Sequence, residues 1–434
     1  MADRVAGLGG IVACVGFVIL AFGIGPGCTQ LGLSTASKSL SDPQFALPEI
    51  ASDTAGVPLS KENWPERREE LLQAFADHVY GPYPQGLTGR LVSSYVIDEN
   101  FRDGRGRLEE LTIAIAEGDN APTFKIALAL PVQATPDQPV PLIIAQNFAG
   151  NRAAMGHKGV SRAGGRATGD DMDNPVITAV AQLIFGAHIA EAPLDEILDR
   201  GYAFAAVFPS ELAPDSRRSA PAALEQIGTL TSDKTAPEGV LAVWAAMYGW
   251  SIDVLDQNPR IDAKRTAVWG HSRHGKSALL AAAHDERIEA TISHQSGTGG
   301  ATLSRSLAGE SVAQITKSYP HWFSPSYAAY GDDETRIPVD QHQLLALVAP
   351  RPVLLGNGWK DVWSDPNGAF RAALAADPVY EMLGAEGVKQ SGLSDGDYLS
   401  GELAFQIRSG AHGVRKADWR AFLDFLDRWF KPDA

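Results

Sequence analysis

Apolar residues fall along much of this chain in short unbroken runs rather than in strict alternation. That pattern predicts strands buried on both faces. Val140 to Ala145 (Val-Pro-Leu-Ile-Ile-Ala) and Tyr202 to Phe208 are the clearest such runs. Thr266–Trp269, Ile288–Ser293, Pro352–Gly356 and Phe405–Arg408 are further strand candidates, and Leu111–Ala116 and Phe124–Pro131 read as extended. Helical patterns lie among them. Trp64–Tyr80 places Leu71, Leu72, Phe75 and Val79 at helical spacing, and Gly239–Leu255 is a long apolar helix. Leu194–Asp199 reads as a helix end closed by Gly201, Ser277–His284 as a helix, and Ala417–Phe430 as a closing amphipathic helix. Strands alternating with helices predict an α/β fold with a largely parallel central sheet flanked by helices. No second core and no internal repeat is visible, so one catalytic domain is expected over 60–434. Arg152–Asn174 is polar and Gly-rich and reads as a long loop.

The N-terminus breaks this pattern. Leu8–Ile24 carries no charge and follows Arg4, as in a signal peptide. The uncharged stretch Val5–Gly27 also has the length of a bilayer span, about 20 residues. A lipoprotein signal ending at Gly27-Cys28 is a third form, although Gly25 and Pro26 depart from its usual residues. Export is expected, with 1–27 as signal peptide or as membrane or lipid anchor. The destination is then periplasmic, secreted or membrane-attached. Residues 28–59, rich in Ser, Thr, Pro and Gly, read as a linker.

Composition narrows the function classes. The 434 residues include 37 Lys+Arg and 52 Asp+Glu, a net charge of −15. That balance argues against nucleic-acid binding, which needs clustered cations to displace counterions. The two cysteines, Cys14 and Cys28, both lie at the N-terminus. A disulfide framework, a cysteine-rich zinc site and a cysteine nucleophile in the body are therefore excluded. The histidines show no metal-ligand spacing, so no metal is inferred.

The informative segment is Thr266–His284. An apolar strand runs into Gly270-His271-Ser272-Arg273-His274-Gly275-Lys276 and then directly into a helix. This is the sequence form of a nucleophile elbow, with Ser272 exposed at a tight turn and a helix N-terminus beside it. The second glycine comes one residue later than in G-x-S-x-G. In this fold the order is nucleophile, acid, base. His412, in Ser409-Gly410-Ala411-His412-Gly413 after the last strand candidate, stands where the base belongs. Asp361, just past Pro352–Gly356, is the favoured acid. Asp365 is the rival, in an Asp-Pro pair that commonly starts a turn.

Gly270-His271-Ser272-Arg273-His274-Gly275-Lys276 resembles the G-C/H-S-R-x-G-K motif of glucuronoyl esterases. The resemblance continues through Gln295-Ser296-Gly297-Thr298-Gly299-Gly300, Pro320-His321-Trp322-Phe323 and Pro338-Val339-Asp340-Gln341-His342. It extends through Ala349-Pro350-Arg351-Pro352, Asp361-Val362-Trp363 and Ala411-His412, covering roughly Trp64 to the C-terminus. It implies an α/β-hydrolase, working without a cofactor, that cleaves esters between the 4-O-methylglucuronic acid of xylan and lignin alcohols. It further implies that Ser272 attacks the uronate carbonyl, His412 moves the proton and Arg273 supports the oxyanion. Lys276 and Trp363 are then sugar contacts, and Glu310 touches sugar hydroxyls. His271, His274, His294 and His342 read as site lining or core, and His321-Trp322 as packing. Many members carry the catalytic Glu where this chain has Gln295, and bacterial members often place the acid after the seventh strand, which fits Asp361. Two other functions remain open from sequence: a general carboxylesterase or acetyl esterase, and a catalytically weak carbohydrate-binding homologue.

Overall fold

Ten strands form one sheet in the order β1-β2-β3-β5-β4-β6-β7-β8-β10-β9. They are β1 (Arg90–Asn100), β2 (Gly106–Ala114), β3 (Thr123–Pro131), β4 (Val140–Gln146) and β5 (Ala203–Val207), then β6 (Ile261–His271), β7 (Ala290–His294), β8 (Val353–Gly358), β9 (Gly396–Tyr398) and β10 (Leu403–Arg408). The computed structural model describes residues 35–37, 46–52, 56–118, 120–163, 175–306, 308–390 and 392–431. The hydrophobic N-terminal run and both cysteines lie outside these residues. From β5 through β4, β6, β7 and β8 to β10 every pairing is parallel. Antiparallel strands close both flanks, β1, β2 and β3 on one side and β9 on the other.

Successive residues of the central strands feed two separate apolar layers, as a period of two requires. Leu142 and Ile144 of β4, Ala205 of β5 and Val268 of β6 enter one layer. Ile143, Ala145, Phe204, Ala267 and Trp269 enter the other. Both faces are therefore covered, which accounts for the unbroken apolar runs. On the first face lies α1 (Val240–Leu255), buried around nearly its whole circumference, so it needs no polar stripe. On the second lies α4 (Lys416–Phe430), which buries Trp419, Phe422, Leu423 and Leu426. Between them in sequence come α2 (Arg273–His284), following β6, and α3 (Pro366–Leu383), following β8.

The expected α/β fold with its largely parallel sheet is present, and its differences from the sequence reading have physical causes. Strand β1 was not expected, because it is an edge strand with most of its side chains in solvent and so lacks a hydrophobic rhythm. The helix expected over Trp64–Tyr80 is α-helical only to Phe75. Its last turn, Ala76–Tyr80, widens to π geometry and turns both Val79 and Tyr80 into the core. In the stretch read as a loop, Asn151–Met155 is a short helix, residues 164–174 lie outside the described residues, and a further helix follows at Pro175–Phe185. The described parts of 28–59 lie against the body. Ile50 is buried, and the carbonyls of Pro48 and Glu49 accept hydrogen bonds from His342 (3.0 Å) and Gln343 (2.8 Å).

Candidate active site

The parallel strands β6, β7, β8 and β10 all end at one edge of the sheet, and the candidate side chains sit on the turns just beyond. Ser272 follows β6 and caps α2 with φ +57° and ψ −123°. That is a strained backbone for a residue with a Cβ, and it turns the side chain away from strand and helix alike. The Ser272 N–H donates to the His294 carbonyl at 2.8 Å, tying the elbow to the end of β7. A Cβ at Gly270 would lie 1.9 Å from the His274 carbonyl oxygen. One at Gly275 would lie 2.9 Å from the Ser296 Cβ and 3.0 Å from the Gly270 carbonyl oxygen. The late glycine thus stands where the helix crosses the turn after β7.

His412 lies in the turn after β10. Its Nδ1 is 2.8 Å from Asp361 Oδ2, in the turn after β8. Nδ1 is therefore committed to the carboxylate, leaving Nε2 to exchange a proton with a nucleophile. The His412 ring packs at a tilt against His271, the neighbour of Ser272, with centroids 4.5 Å apart. Asp361 is 4% exposed. Burial pushes its carboxyl up, but His412 and the Ser364 hydrogen bonds outweigh this and hold it below its ordinary value. Asp365, the rival acid, is occupied elsewhere. Its carboxylate caps α3 through the Gly368 N–H (3.0 Å) and accepts from the Ser306 hydroxyl.

Gln295 faces the same turn. Its Nε2 donates to the Ala411 carbonyl (3.3 Å) and its Oε1 accepts from the Gly413 N–H (2.8 Å), one on each side of His412. The His412 turn is also seated on the end of the Pro175–Phe185 helix. The Val414 N–H donates to Phe185 O (2.6 Å), and His188 N–H donates to Val414 O (3.1 Å). A Cβ at Gly413 would lie 2.0 Å from Phe185 O, and one at Gly186 would lie 2.2 Å from Val414 O.

Lys276, Glu310 and Trp363 are brought together on the β7–β8 side. The buried Lys276 ammonium donates to the carbonyls of Ser296 (2.5 Å) and Thr298. Burial lowers it to about 8, while Glu310 pulls it back up. Burial raises Glu310 to about 7 against the pull of Lys276, and Trp363 hydrogen-bonds its carboxylate. The Glu310 N–H donates to Trp363 O at 2.9 Å. Arg273 leaves the elbow on the opposite side, toward residues that follow β5. It pairs with Asp215 and lies against the rings of Trp322, Phe148 and Tyr319. Asp215 was missed by the sequence reading because nothing in Pro214-Asp215-Ser216 marks it out. His321 and Trp322, read as packing, donate to its carboxylate. The neighbouring His271 and His274 are held below the free imidazole by burial, His274 at about 3, so both are neutral. Among the described residues no cluster of His, Cys, Asp or Glu is arranged to hold a metal ion. Nor is any described helix long and apolar enough to cross a membrane.

The family model for fungal glucuronyl esterase matches residues 197–384, which include Ser272 and Asp361. The chain is 26% identical over 352 residues to the 4-O-methyl-glucuronoyl methylesterase of Schizophyllum commune, covering 78% of this chain and 74% of the relative. Among solved structures, it is similar to a promiscuous CE15 esterase from a marine bacterial metagenome, with TM-score 0.75 and 29% identity over 90% of this chain and 99% of the other. It is equally similar to the glucuronoyl esterase of Solibacter usitatus, with TM-score 0.75 and 29% identity over 89% and 98% of the two chains. Carbohydrate esterase MZ0003, from an unknown prokaryotic organism, is 33% identical over 392 residues, 89% of this chain and 90% of the relative. Likeness of that extent, on an elbow and sheet of this form, shows that the chain belongs to the glucuronoyl esterase family of carbohydrate esterases.

Proposed function

We propose that this carboxylic ester hydrolase cleaves esters of 4-O-methylglucuronic acid, as in lignin–xylan cross-links, through Ser272, His412 and Asp361. The observation that carries the triad is the 2.8 Å contact of His412 Nδ1 with the buried Asp361 carboxylate, on a ring packed against the neighbour of Ser272. His412 Nε2 takes the Ser272 proton as Oγ attacks the uronate carbonyl. Arg273 and the first N–H groups of α2, which have no partners within the helix, stabilise the oxyanion. The protonated His412 then delivers its proton to the departing alcohol, leaving an acyl-enzyme. Water, deprotonated by the same nitrogen, releases the uronic acid.

Lys276, Glu310 and Trp363 form the sugar cradle. A buried ammonium with a half-buried carboxylate in its field suits a ring bearing hydroxyls and an ester better than an acyl chain. A broader ester preference is the second reading, favoured by the description of the marine relative as promiscuous. The body over 60–434 acts as one catalytic domain. Export of the chain is supported by the apolar run Leu8–Ile24, with residues 1–27 as leader or as membrane or lipid anchor. The test is turnover of benzyl glucuronate and p-nitrophenyl acetate by the purified protein and by Ser272→Ala. Uronate turnover well above acetate, abolished in the variant, is expected. Turnover of acetate alone would establish the general esterase instead.

A further inference from the structure

Arg273 stands at the head of α2, next to Ser272, and is 4% exposed. A buried guanidinium needs a counter-charge, and Asp215 supplies it. The two oxygens of Asp215 are divided. Oδ2 accepts from Arg273 Nη1, while Oδ1 accepts from His321 Nε2 (2.8 Å) and Trp322 Nε1 (2.7 Å). The guanidinium carbon lies 4.8 Å from the centre of the Trp322 ring, 5.5 Å from Phe148 and 5.7 Å from Tyr319. Burial pushes the Asp215 carboxyl up, but Arg273, His321 and Trp322 outweigh it and keep the group ionised. Within these aromatic faces the bond from Nη1 to Asp215 Oδ2 holds one edge of the guanidinium.

We propose that Asp215 is a positioning residue for the ester reaction: anchored by His321 and Trp322, it holds Arg273 in the orientation that meets the oxyanion. This rests on the reading of Arg273 given above. Two effects oppose each other. The Asp215 charge subtracts from the positive potential at the oxyanion. Its bond removes rotamer freedom that arginine otherwise carries. Oxyanion stabilisation depends on donors already in place when charge develops. Two further groups bind Asp215 away from the oxyanion, as expected of a carboxylate whose position matters. Orientation therefore wins. An amide at 215 cannot serve all three donors, because its NH2 must face either Arg273 or the His321–Trp322 pair.

The experiment is a double-mutant cycle on benzyl glucuronate with Asp215→Asn, Arg273→Met and both together. Competent sites are counted with a phosphonate inhibitor and the fold is checked by thermal melting. Arg273→Met is expected to lower kcat about 100-fold, the size for one oxyanion donor. Asp215→Asn should lower kcat about 10-fold with KM unchanged, and the double variant should be no worse than Arg273→Met alone. A merely structural role would reduce the count of competent sites and leave kcat per site alone. Trp322→Phe removes one donor but keeps the ring, so it should cost roughly threefold in kcat even if Asp215→Asn folds poorly. Unchanged or raised kcat per site in Asp215→Asn, additive losses in the cycle, or full activity of a folded Trp322→Phe would overturn the proposal. Full kcat in Arg273→Met would show that the reading of Arg273 itself is wrong, and the positioning role would fall with it.

Discussion

Replacing Asp361 by Asn removes one charge and leaves the shape of the site almost unchanged. The carboxylate oxygen lies 2.8 Å from His412 Nδ1. At an effective dielectric constant of about 20, its attraction for the imidazolium formed during attack is 332/(20 × 2.8), about 6 kcal/mol. That corresponds to roughly 10⁴ in rate. Asn can still accept from Nδ1–H, which recovers part of the orientation, but it can also present its NH2 and trap the wrong tautomer. The expected loss in kcat is therefore about 10³- to 10⁴-fold, in line with the loss of a triad carboxylate elsewhere. The assay is steady-state hydrolysis of benzyl glucuronate, with competent sites counted separately by the phosphonate inhibitor. KM should stay close to that of the parent. Adding Gln295→Glu puts a carboxylate beside the same turn, held by the Gly413 N–H, and should return about tenfold of the lost rate. A folded Asp361→Asn within tenfold of the parent kcat would refute the assignment of the acid and the electrostatic reasoning behind it.

Other outcomes follow from the same geometry. In Glu310→Gln, Lys276 loses the carboxylate that helps keep it protonated, so KM for the uronate should begin to climb at a lower pH than in the parent. A KM profile between pH about 6 and about 9 reads this directly. Burial holds His271, His274, His284 and His294 well below the free imidazole, so the unfolded chain binds protons there that the native state does not. Stability should therefore fall as pH drops below about 6.5. Glu310 and Asp377, raised to about 7 and about 6, act in the opposite sense. Urea unfolding at a series of pH values reads the net slope, which the buried imidazoles should make positive between pH about 5 and about 6.5. Gly413→Ala forces a methyl against Phe185 O and should cost about 2–4 kcal/mol in the same unfolding assay, with kcat falling because His412 moves.

The parts of this site that are continuous in sequence were legible, and the parts assembled by topology were not. The elbow is readable because strand, glycines, serine and helix follow one another without a break. Asp361 and Asp365 are four residues apart, and the clue that separates them is local: Asp-Pro commonly starts a turn, and the Asp365 side chain here caps α3. Asp215 carries no comparable mark. It meets Arg273 only because β5 lies beyond β4 on one side of β6, a relation that no local pattern encodes. The contact of Gln295 with both neighbours of His412 was equally hidden, since it depends on where β7 and β10 end across β8. The edge strand β1 escaped because hydrophobic patterning reports burial, and β1 has little.

The seat of the His412 turn on Phe185 and Gly186 has a consequence for how such enzymes can diverge. The two segments meet backbone to backbone, with a glycine on each side, so neither can gain a side chain at the contact unless the other retreats. The pair behaves as one inherited unit, although more than two hundred residues separate its halves. Segments 185–189 and 410–415 must therefore be exchanged together. A chimera that transplants the segment around the base from a relative should therefore carry the helix end with it. The same graft without that helix end should give a protein that folds around a displaced imidazole.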